Sequence, residues 1–240
     1  MKIITVASLK GGVGKTSTAL FLAEALAMKG RKVILIDADP NNNATDYLAR
    51  DVDPDEIEKR SLYLAVTGRR KLADCAFPTA FNLDLIPGTP SLARATVELA
   101  GDPGVALRFP RAVRDLEADV VILDTPPAIT LELTLALYAA DVVLVPVGLS
   151  RWTSAAYQVI DDMRQTAEET TGRHATIFAL PSIVSEKEAE TLRAVPIWTS
   201  TRTAIQKAAA IRNAANAGKS LNPAAAAWTW FNALTEELAL

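Results

Sequence analysis

The segment "KGGVGKT", residues 10–16, contains the residue types of a loop that binds phosphate. Glycines let backbone N–H groups approach phosphate oxygens closely, and the N-terminus of a following helix adds a favourable partial positive charge. The general pattern is G-x-x-x-x-G-K-S/T, and residues 14–16 supply its second half. Leu9 replaces the first glycine, and Lys10 follows it directly. The segment therefore predicts a phosphate-binding loop that carries a second lysine.

The loop predicts ATP and Mg²⁺ as cofactors, because its last residues suit a triphosphate. Lys15 would lie against the β- and γ-phosphates, and the Thr16 hydroxyl would bind Mg²⁺. The loop residues predicted to bind the nucleotide are Lys10, Gly11, Gly12, Val13, Gly14, Lys15, Thr16 and Ser17. A tight turn that only uses glycine is the alternative, but an apolar run precedes this loop and a helical pattern follows it, as a phosphate loop requires.

Two acidic segments complete the predicted site. Asp37 and Asp39 end the apolar run "KVILIDAD", and side chains at i and i+2 of a strand point the same way. Such carboxylates repel each other unless a cation or water holds them. Asp124 ends "VVILD", the form of a Walker B strand, whose acid holds Mg²⁺. We expect Asp39 to orient the attacking water, and Asp37 and Asp124 to support Mg²⁺ together with Thr16. Taken alone, each acid fits a helix-capping role equally well.

Apolar runs and helical patterns alternate along the chain. The predicted strands are 2–8, 32–39, 83–88, 118–127, 140–148 and 175–185, and the predicted helices are 16–28, 153–171, 204–217 and 223–239. This alternation predicts an α/β fold, a mostly parallel twisted sheet flanked by helices on both faces. Ligands of such sheets bind beyond the carboxyl ends of the strands. The glycine loop and both acidic turns lie at such ends.

Composition limits the remaining possibilities. The chain has 240 residues and no visible linker, so residues 1–240 are predicted to form one domain. Cys75 is the single cysteine, which excludes a disulfide framework and any Cys-pair metal site within one chain. No signal-like segment or long apolar run is present, so we expect a cytoplasmic protein. Residues 222–240 have an apolar helical face but no Lys or Arg, and we interpret them as a C-terminal docking helix.

Three motifs in order, "KGGVGKT", "DADP" and "LDTPP", resemble the ParA/MinD family of deviant Walker A ATPases, a class of P-loop NTPase. The resemblance extends from Met1 to about Gly218. Within it, "RTAI" at 202–205 and "AGKSL" at 217–221 resemble the small ParA-type partition ATPases, which have no N-terminal DNA-binding domain. The resemblance implies an ATP-sandwich homodimer, slow hydrolysis stimulated by a ParB-like adaptor, and non-specific DNA binding that segregates plasmid or chromosomal DNA. Localisation on the nucleoid follows from these properties.

The resemblance also assigns roles to individual residues. Lys10 becomes the signature lysine, which reaches the phosphates bound by the other subunit and acts with Lys15 and Asp39 in catalysis. A lysine supplied in trans resembles an arginine finger in its effect on phosphoryl transfer. By position, Pro181 and Ser182 would pack near the adenine. One departure is Asn41, which stands where the family usually has glutamine.

A locally basic region supplies the predicted DNA contacts. No acidic residue occurs from Thr191 to Thr235, in a chain whose net charge is −3. The cations predicted to bind DNA are Arg193, Arg202, Lys207, Arg212 and Lys219. An ATP dimer would double this basic patch, and phosphate contacts add steeply to affinity. The alternative is a set of solvated charges on helices.

Other functions on the same fold make different demands on the sequence. The closest alternative is ParA-like positioning of a protein cargo, such as a carboxysome or a chemoreceptor array. A MinD-like membrane ATPase would need basic residues on its last helix. An iron–sulfur carrier would need more cysteines than Cys75. A small-molecule ligase would need a substrate pocket, and the sequence identifies none.

Overall fold

The computed structural model describes all 240 residues. Eight strands form one sheet: β1 (Lys2–Val6), β2 (Val33–Asp37), β3 (Phe77–Pro78), β4 (Asp84–Ile86), β5 (Val120–Asp124), β6 (Val142–Val147), β7 (Thr176–Val184) and β8 (Ile205–Gln206). Their order is β3-β4-β2-β5-β1-β6-β7-β8. Every neighbouring pair is parallel except β3 with β4. The predicted α/β class with a mostly parallel sheet is confirmed.

Helices and short turns connect the strands. The helices are α1 (Lys15–Met28), α2 (Asn43–Leu48), α3 (Pro54–Glu58), α4 (Leu62–Val66), α5 (Ala95–Glu98), α6 (Val105–Arg114), α7 (Leu131–Ala139), α8 (Thr153–Thr171), α9 (Glu186–Arg193), α10 (Ala209–Ala217) and α11 (Ala227–Glu237). Two 3₁₀ turns span Leu72–Cys75 and Pro90–Arg94. None of the helices is both long and apolar enough to cross a membrane.

Helices cover both faces of the central strands. Leu35 of β2 packs in a cluster with residues of α1 and α11, whereas Ile34 and Ile36 pack with residues of α4 and α6 on the other face. All residues of β2, β5 and β6 are buried. This burial explains why these strands are continuously apolar rather than alternating.

The strand register sets the position of the acidic residues. β2 and β5 are parallel neighbours, and Asp37 lies opposite Asp124 at their carboxyl ends. β1 lies between β5 and β6, so the glycine loop after β1 emerges at the same edge. Three segments that are far apart in sequence therefore meet at one edge of the sheet.

Several element boundaries differ from the sequence predictions. Residues 204–217 do not form one helix: Ile205–Gln206 are an edge strand paired with β7, and α10 begins only at Ala209. The last helix begins at Ala227 rather than at residue 223. Helices α6, α7 and α9 were not predicted, although each is a regular helix in the structure. The alanine-rich composition of this region favours a helix. Residues 205–206 form a strand instead because they pair with β7.

The C-terminal helix α11 packs against α1. Trp228 and Phe231 both contact the ring of Phe21, with ring centroids 6.2 and 5.6 Å apart, respectively. Leu234 and Leu238 are buried in the same cluster. The apolar face of this helix is thus covered by the core of the chain.

Candidate nucleotide site

The glycine loop has a conformation that its sequence makes possible. Gly12 and Gly14 adopt φ values of 73° and 88°, in the left-handed region that glycine enters without strain. Gly14 is the N-cap of α1, and its carbonyl accepts a hydrogen bond from the Thr18 amide at 2.8 Å. A Cβ atom on Gly14 would lie 2.9 Å from Ser182 Oγ. Both backbone conformation and space therefore require glycine at position 14.

Lys15 points into the loop and is only 7% exposed. Its ammonium group donates a hydrogen bond to the Lys10 carbonyl oxygen at 3.2 Å. Burial lowers the pKa of Lys15, and the nearby carboxylates of Asp124 and Asp39 oppose that change. A desolvated ammonium group beside glycine N–H groups is suited to the phosphates of a nucleotide.

The Asp37 carboxylate is fully buried and has its own protein partners. Asp37 Oδ2 accepts hydrogen bonds from the backbone N–H and the hydroxyl of Thr45, each at 2.8 Å. Oδ1 accepts one from the Asp39 amide at 3.1 Å. Burial raises the pKa of Asp37 to about 6 despite these bonds. Asp37 thus fixes the start of α2 and the loop that carries Asp39.

Asp39 is held by the residue that departs from the family pattern. Both the backbone N–H and the side-chain amide of Asn41 donate to Asp39 Oδ1, at 2.9 and 3.0 Å. Asp39 also lines the cleft beside the glycine loop. The shorter amide of Asn41 therefore contacts Asp39 directly within one subunit, in a position that fixes the carboxylate beside the glycine loop.

Asp124 is the acid that fits a metal cofactor best. It is buried, yet neither of its carboxylate oxygens has a hydrogen-bond partner. Burial raises its pKa well above the usual range, and the neighbouring Asp37 raises it further, whereas Thr16 and Lys15 act in the opposite direction. Oxygen ligands of this type are those that Mg²⁺ prefers. An orphaned carboxylate beside the Thr16 hydroxyl therefore fits a magnesium ion bound with a triphosphate.

A cleft of about 570 Å³ opens between the glycine loop and α10. The loop side contains six of the eight predicted loop residues, Gly11, Gly12, Gly14, Lys15, Thr16 and Ser17, whereas Lys10 and Val13 line a separate hollow. Ser182 also lines the cleft, beside Gly14, and its buried hydroxyl has no partner. Pro181 instead lies within β7, opposite Val147, and does not line the cleft. The structure thus brings one of the two predicted adenine residues to the site.

Sequence reasoning missed much of the second wall of this cleft. Ile183 occupies a bulge of β7 with φ of 58°, an unusual backbone conformation for a β-branched residue. Gln206, Ile211 and Asn216 come from β8 and α10. Only the "RTAI" resemblance pointed to this segment, and no local motif marks its residues as cleft-lining.

The five cations predicted to bind DNA do not share one environment. Lys207 and Arg212 line the nucleotide cleft. Arg193 pairs with Glu186 at 2.7 Å, and the exposed Arg202 side chain lies 3.8 Å from Glu237. Lys219 is exposed after α10. The acids that approach Arg193 and Arg202 lie outside residues 191–235. The net positive charge around these two arginines is therefore smaller than the sequence pattern suggests.

Comparisons with known proteins agree with this site. A P-loop nucleotide-binding fold with a lysine before the glycines is the class defined by the geometry above. Residues 1–174 match the AAA domain family. The chromosome-partitioning ATPase Soj of Thermus thermophilus is 39% identical over 193 residues, which cover 80% of this chain and 72% of Soj. The chain therefore belongs to the ParA/Soj family of partition ATPases.

Solved structures extend the likeness beyond residue 174. The ATP complex of Cyanothece McdA(D38A) matches with a TM-score of 0.86 and 27% identity, over 100% of this chain and 97% of that one. A cobyrinic acid a,c-diamide synthase from Mycobacterium smegmatis, with bound ATP analog and magnesium, matches with a TM-score of 0.84 and 24% identity, over 100% and 94%. The second likeness shows the fold alone. The site and its family support ATP and Mg²⁺ as the cofactors.

Proposed function

We propose that two copies of this chain sandwich two ATP molecules, bind DNA without sequence specificity, and segregate plasmid or chromosomal DNA. A ParB-like adaptor would stimulate the slow hydrolysis of ATP and release the dimer from DNA. Within each subunit, Lys15 and the loop amides would hold the phosphates, and Thr16, Asp37 and Asp124 would support Mg²⁺. Asp39 would orient the attacking water. The chain would act in the cytoplasm, on the nucleoid.

The observation that carries this proposal is the different environment of the two loop lysines. Lys15 is buried in its own loop, whereas the Lys10 side chain is exposed beside it. A lysine with no ligand in its own subunit can reach phosphates held by a second copy. Positive charge added there would stabilise the developing charge of phosphoryl transfer. It would also make ATP part of the contact between subunits.

Exposed apolar residues near Lys10 support a second copy as the partner. Ile129, Leu149 and Trp152 are 64%, 53% and 65% exposed. They lie in the loops after β5 and β6, the two strands that flank β1. Lys10 and Trp152 line one small hollow. Large apolar side chains clustered at one edge mark an interaction surface.

Protein-cargo positioning is the second candidate, and it uses the same cycle of ATP binding and hydrolysis. The structure of McdA matches this chain over its whole length, and this match favours retaining protein-cargo positioning as a candidate. The two candidates differ in what the adaptor binds, not in the ATPase site. Identifying the adaptor, and testing whether it binds a DNA site or a protein assembly, separates them.

The decisive experiment measures DNA binding at one fixed low salt concentration, without nucleotide, with ADP and with ATP. The intact protein is compared with Lys10→Ala, and Lys32→Ala at the opposite edge of the sheet is the control for loss of one exposed lysine. We expect binding with ATP only, lost in Lys10→Ala and kept in Lys32→Ala. Nucleotide affinity is measured separately and should change little in Lys10→Ala. The absence of DNA binding in every state would refute the proposed DNA surface.

A further inference from the structure

A second groove lies away from the nucleotide cleft, between the loop 67–73 and helix α6. Its volume is about 560 Å³, close to that of the nucleotide cleft, and the two share no lining residue. Its floor is apolar and includes Val66, Leu72, Val105 and Phe109. Nothing in the ATPase mechanism uses this groove.

The groove is surrounded by positive charge. Four cations line it, Arg69, Arg70, Lys71 and Arg108, against one acid, Asp115. Arg69 pairs with Glu98, and Arg108 pairs with Asp102. Arg70 and Lys71 have no carboxylate within 4.0 Å.

Arg70 is held in place without being neutralised. Its Nε donates to the Asp74 carbonyl oxygen and its Nη1 to the Lys59 carbonyl oxygen, both at 3.0 Å. These carbonyls orient the guanidinium group but leave its charge uncompensated. The neighbouring Lys71 is exposed. A fixed cation loses little conformational entropy when it binds a carboxylate, so the rim is pre-organised for an anion.

We propose that this groove docks an acidic, amphipathic segment of a partner protein. The floor would receive its apolar side chains, and the cations at the rim would pair with its carboxylates. A nucleic acid backbone has the charge but offers no apolar side chains for the floor. A membrane surface has both, but it is flat, whereas the groove is concave. Charge complementarity combined with an apolar floor therefore favours a protein segment.

The proposal goes beyond the ATPase cycle and does not depend on it. The groove lies along α6 and the 67–73 loop, whereas Lys10 and the nucleotide cleft lie at the carboxyl edge near β1. Docking should therefore occur with and without nucleotide. This independence separates the groove from any adaptor contact formed only by an ATP dimer.

The test uses the full chain and a fluorescent 16-residue peptide with Leu at helical i, i+3, i+4 and i+7 spacing and Glu at most other positions. Anisotropy titrations compare it with the same peptide carrying Lys for Glu, and with polyglutamate. One variant removes charge, Arg70→Gln with Lys71→Gln, and its control is Arg31→Gln with Lys32→Gln, an exposed Arg-Lys pair away from the groove. A second variant, Ala112→Trp, fills the groove and keeps its charges. Thermal unfolding confirms that each variant is folded.

Of the three peptides, we expect only the acidic amphipathic one to bind, both with and without ATP. Removing two rim charges should weaken it about fivefold, at roughly 0.5 kcal/mol per pair, and Ala112→Trp should weaken it at least as much. Equal binding by polyglutamate, or unchanged binding in both groove variants, would overturn the proposal. If a DNA duplex or anionic vesicles lose affinity in the charge variant while the peptide never binds, the patch serves that surface instead and the proposal is also wrong.

Discussion

Replacing Asp124 by asparagine should make the nucleotide-free protein more stable and the site inactive. The carboxylate is buried without a hydrogen-bond partner and lies opposite Asp37 on the neighbouring strand. An amide of the same shape carries no charge, so it lowers the desolvation cost and removes the repulsion between the two acids. It would also remove an oxygen ligand from the proposed Mg²⁺ site. Stability and ligand binding should therefore change in opposite directions.

The direction of the effect follows from the raised pKa values of the two buried acids. For Asp37, a rise from 3.8 to about 6 corresponds to about 3 kcal/mol at 1.36 kcal/mol per unit. A carboxyl group whose folded pKa lies above its unfolded value stabilises the fold while protonated, and this contribution is lost as the pH rises through the folded pKa. Stability of the wild type should thus fall between about pH 4 and 6, and Asp124 extends the fall to higher pH. At pH 7.5, Asp124→Asn should gain roughly 1–4 kcal/mol, the range found when buried charged groups are replaced by neutral groups of similar volume.

Thermal and chemical denaturation at pH 7.5, with and without Mg²⁺ and ATP, measures both effects. For a chain of this size, a gain of 3 kcal/mol corresponds to roughly 6–12 °C in Tm. Mg²⁺ and ATP should raise the Tm of the wild type and leave that of Asp124→Asn nearly unchanged. Asp162→Asn, an exposed acid with no side-chain partner, is the matched control and should shift stability by less than about 0.5 kcal/mol. A lower stability of Asp124→Asn at pH 7.5 would refute the reasoning.

Two further predictions concern the supports of the site. Gly14→Ala should abolish nucleotide binding by calorimetry and cost about 1–3 kcal/mol, because φ is 88° and the space is filled; Gly101→Ala, in open space, should change neither. Glu24 lies buried in α1 and accepts hydrogen bonds from Tyr47 at 2.7 Å and Ser220 at 2.5 Å. Glu24→Ala should cost about 2–3 kcal/mol in urea unfolding, whereas Glu24→Gln, which retains an acceptor, should cost less. Equal losses in these two variants would show that packing, not hydrogen bonding, is the cause.

The sequence predicted what depends on local pattern. Short motifs predict the loop around Lys15 and the acids at 37, 39 and 124, because their chemistry needs residues that are close in sequence. Runs of apolar residues predict six of the strands. Residues 205–206 became a strand because β7 was available to pair with them, and that information is not local. The cation pattern also misled in part, because the acid that neutralises Arg193 lies on the same helix but outside the acid-free stretch. A contact with β7 decided the first outcome, and a carboxylate seven residues away on the same helix decided the second.

The site stores unfavourable charge that its ligand is suited to relieve. Asp124 has no hydrogen-bond partner, and Lys15 is desolvated. The pKa of Asp124 is raised and that of Lys15 is lowered, and both shifts favour the neutral form. Hydrogen bonds elsewhere hold this arrangement open: Thr45 fixes Asp37, and Asn41 fixes Asp39. Magnesium would pair with the acid, and the triphosphate with the lysine, without moving these supports. Binding energy is then available for the proposed contact with a second copy, because little of it is needed to build the site.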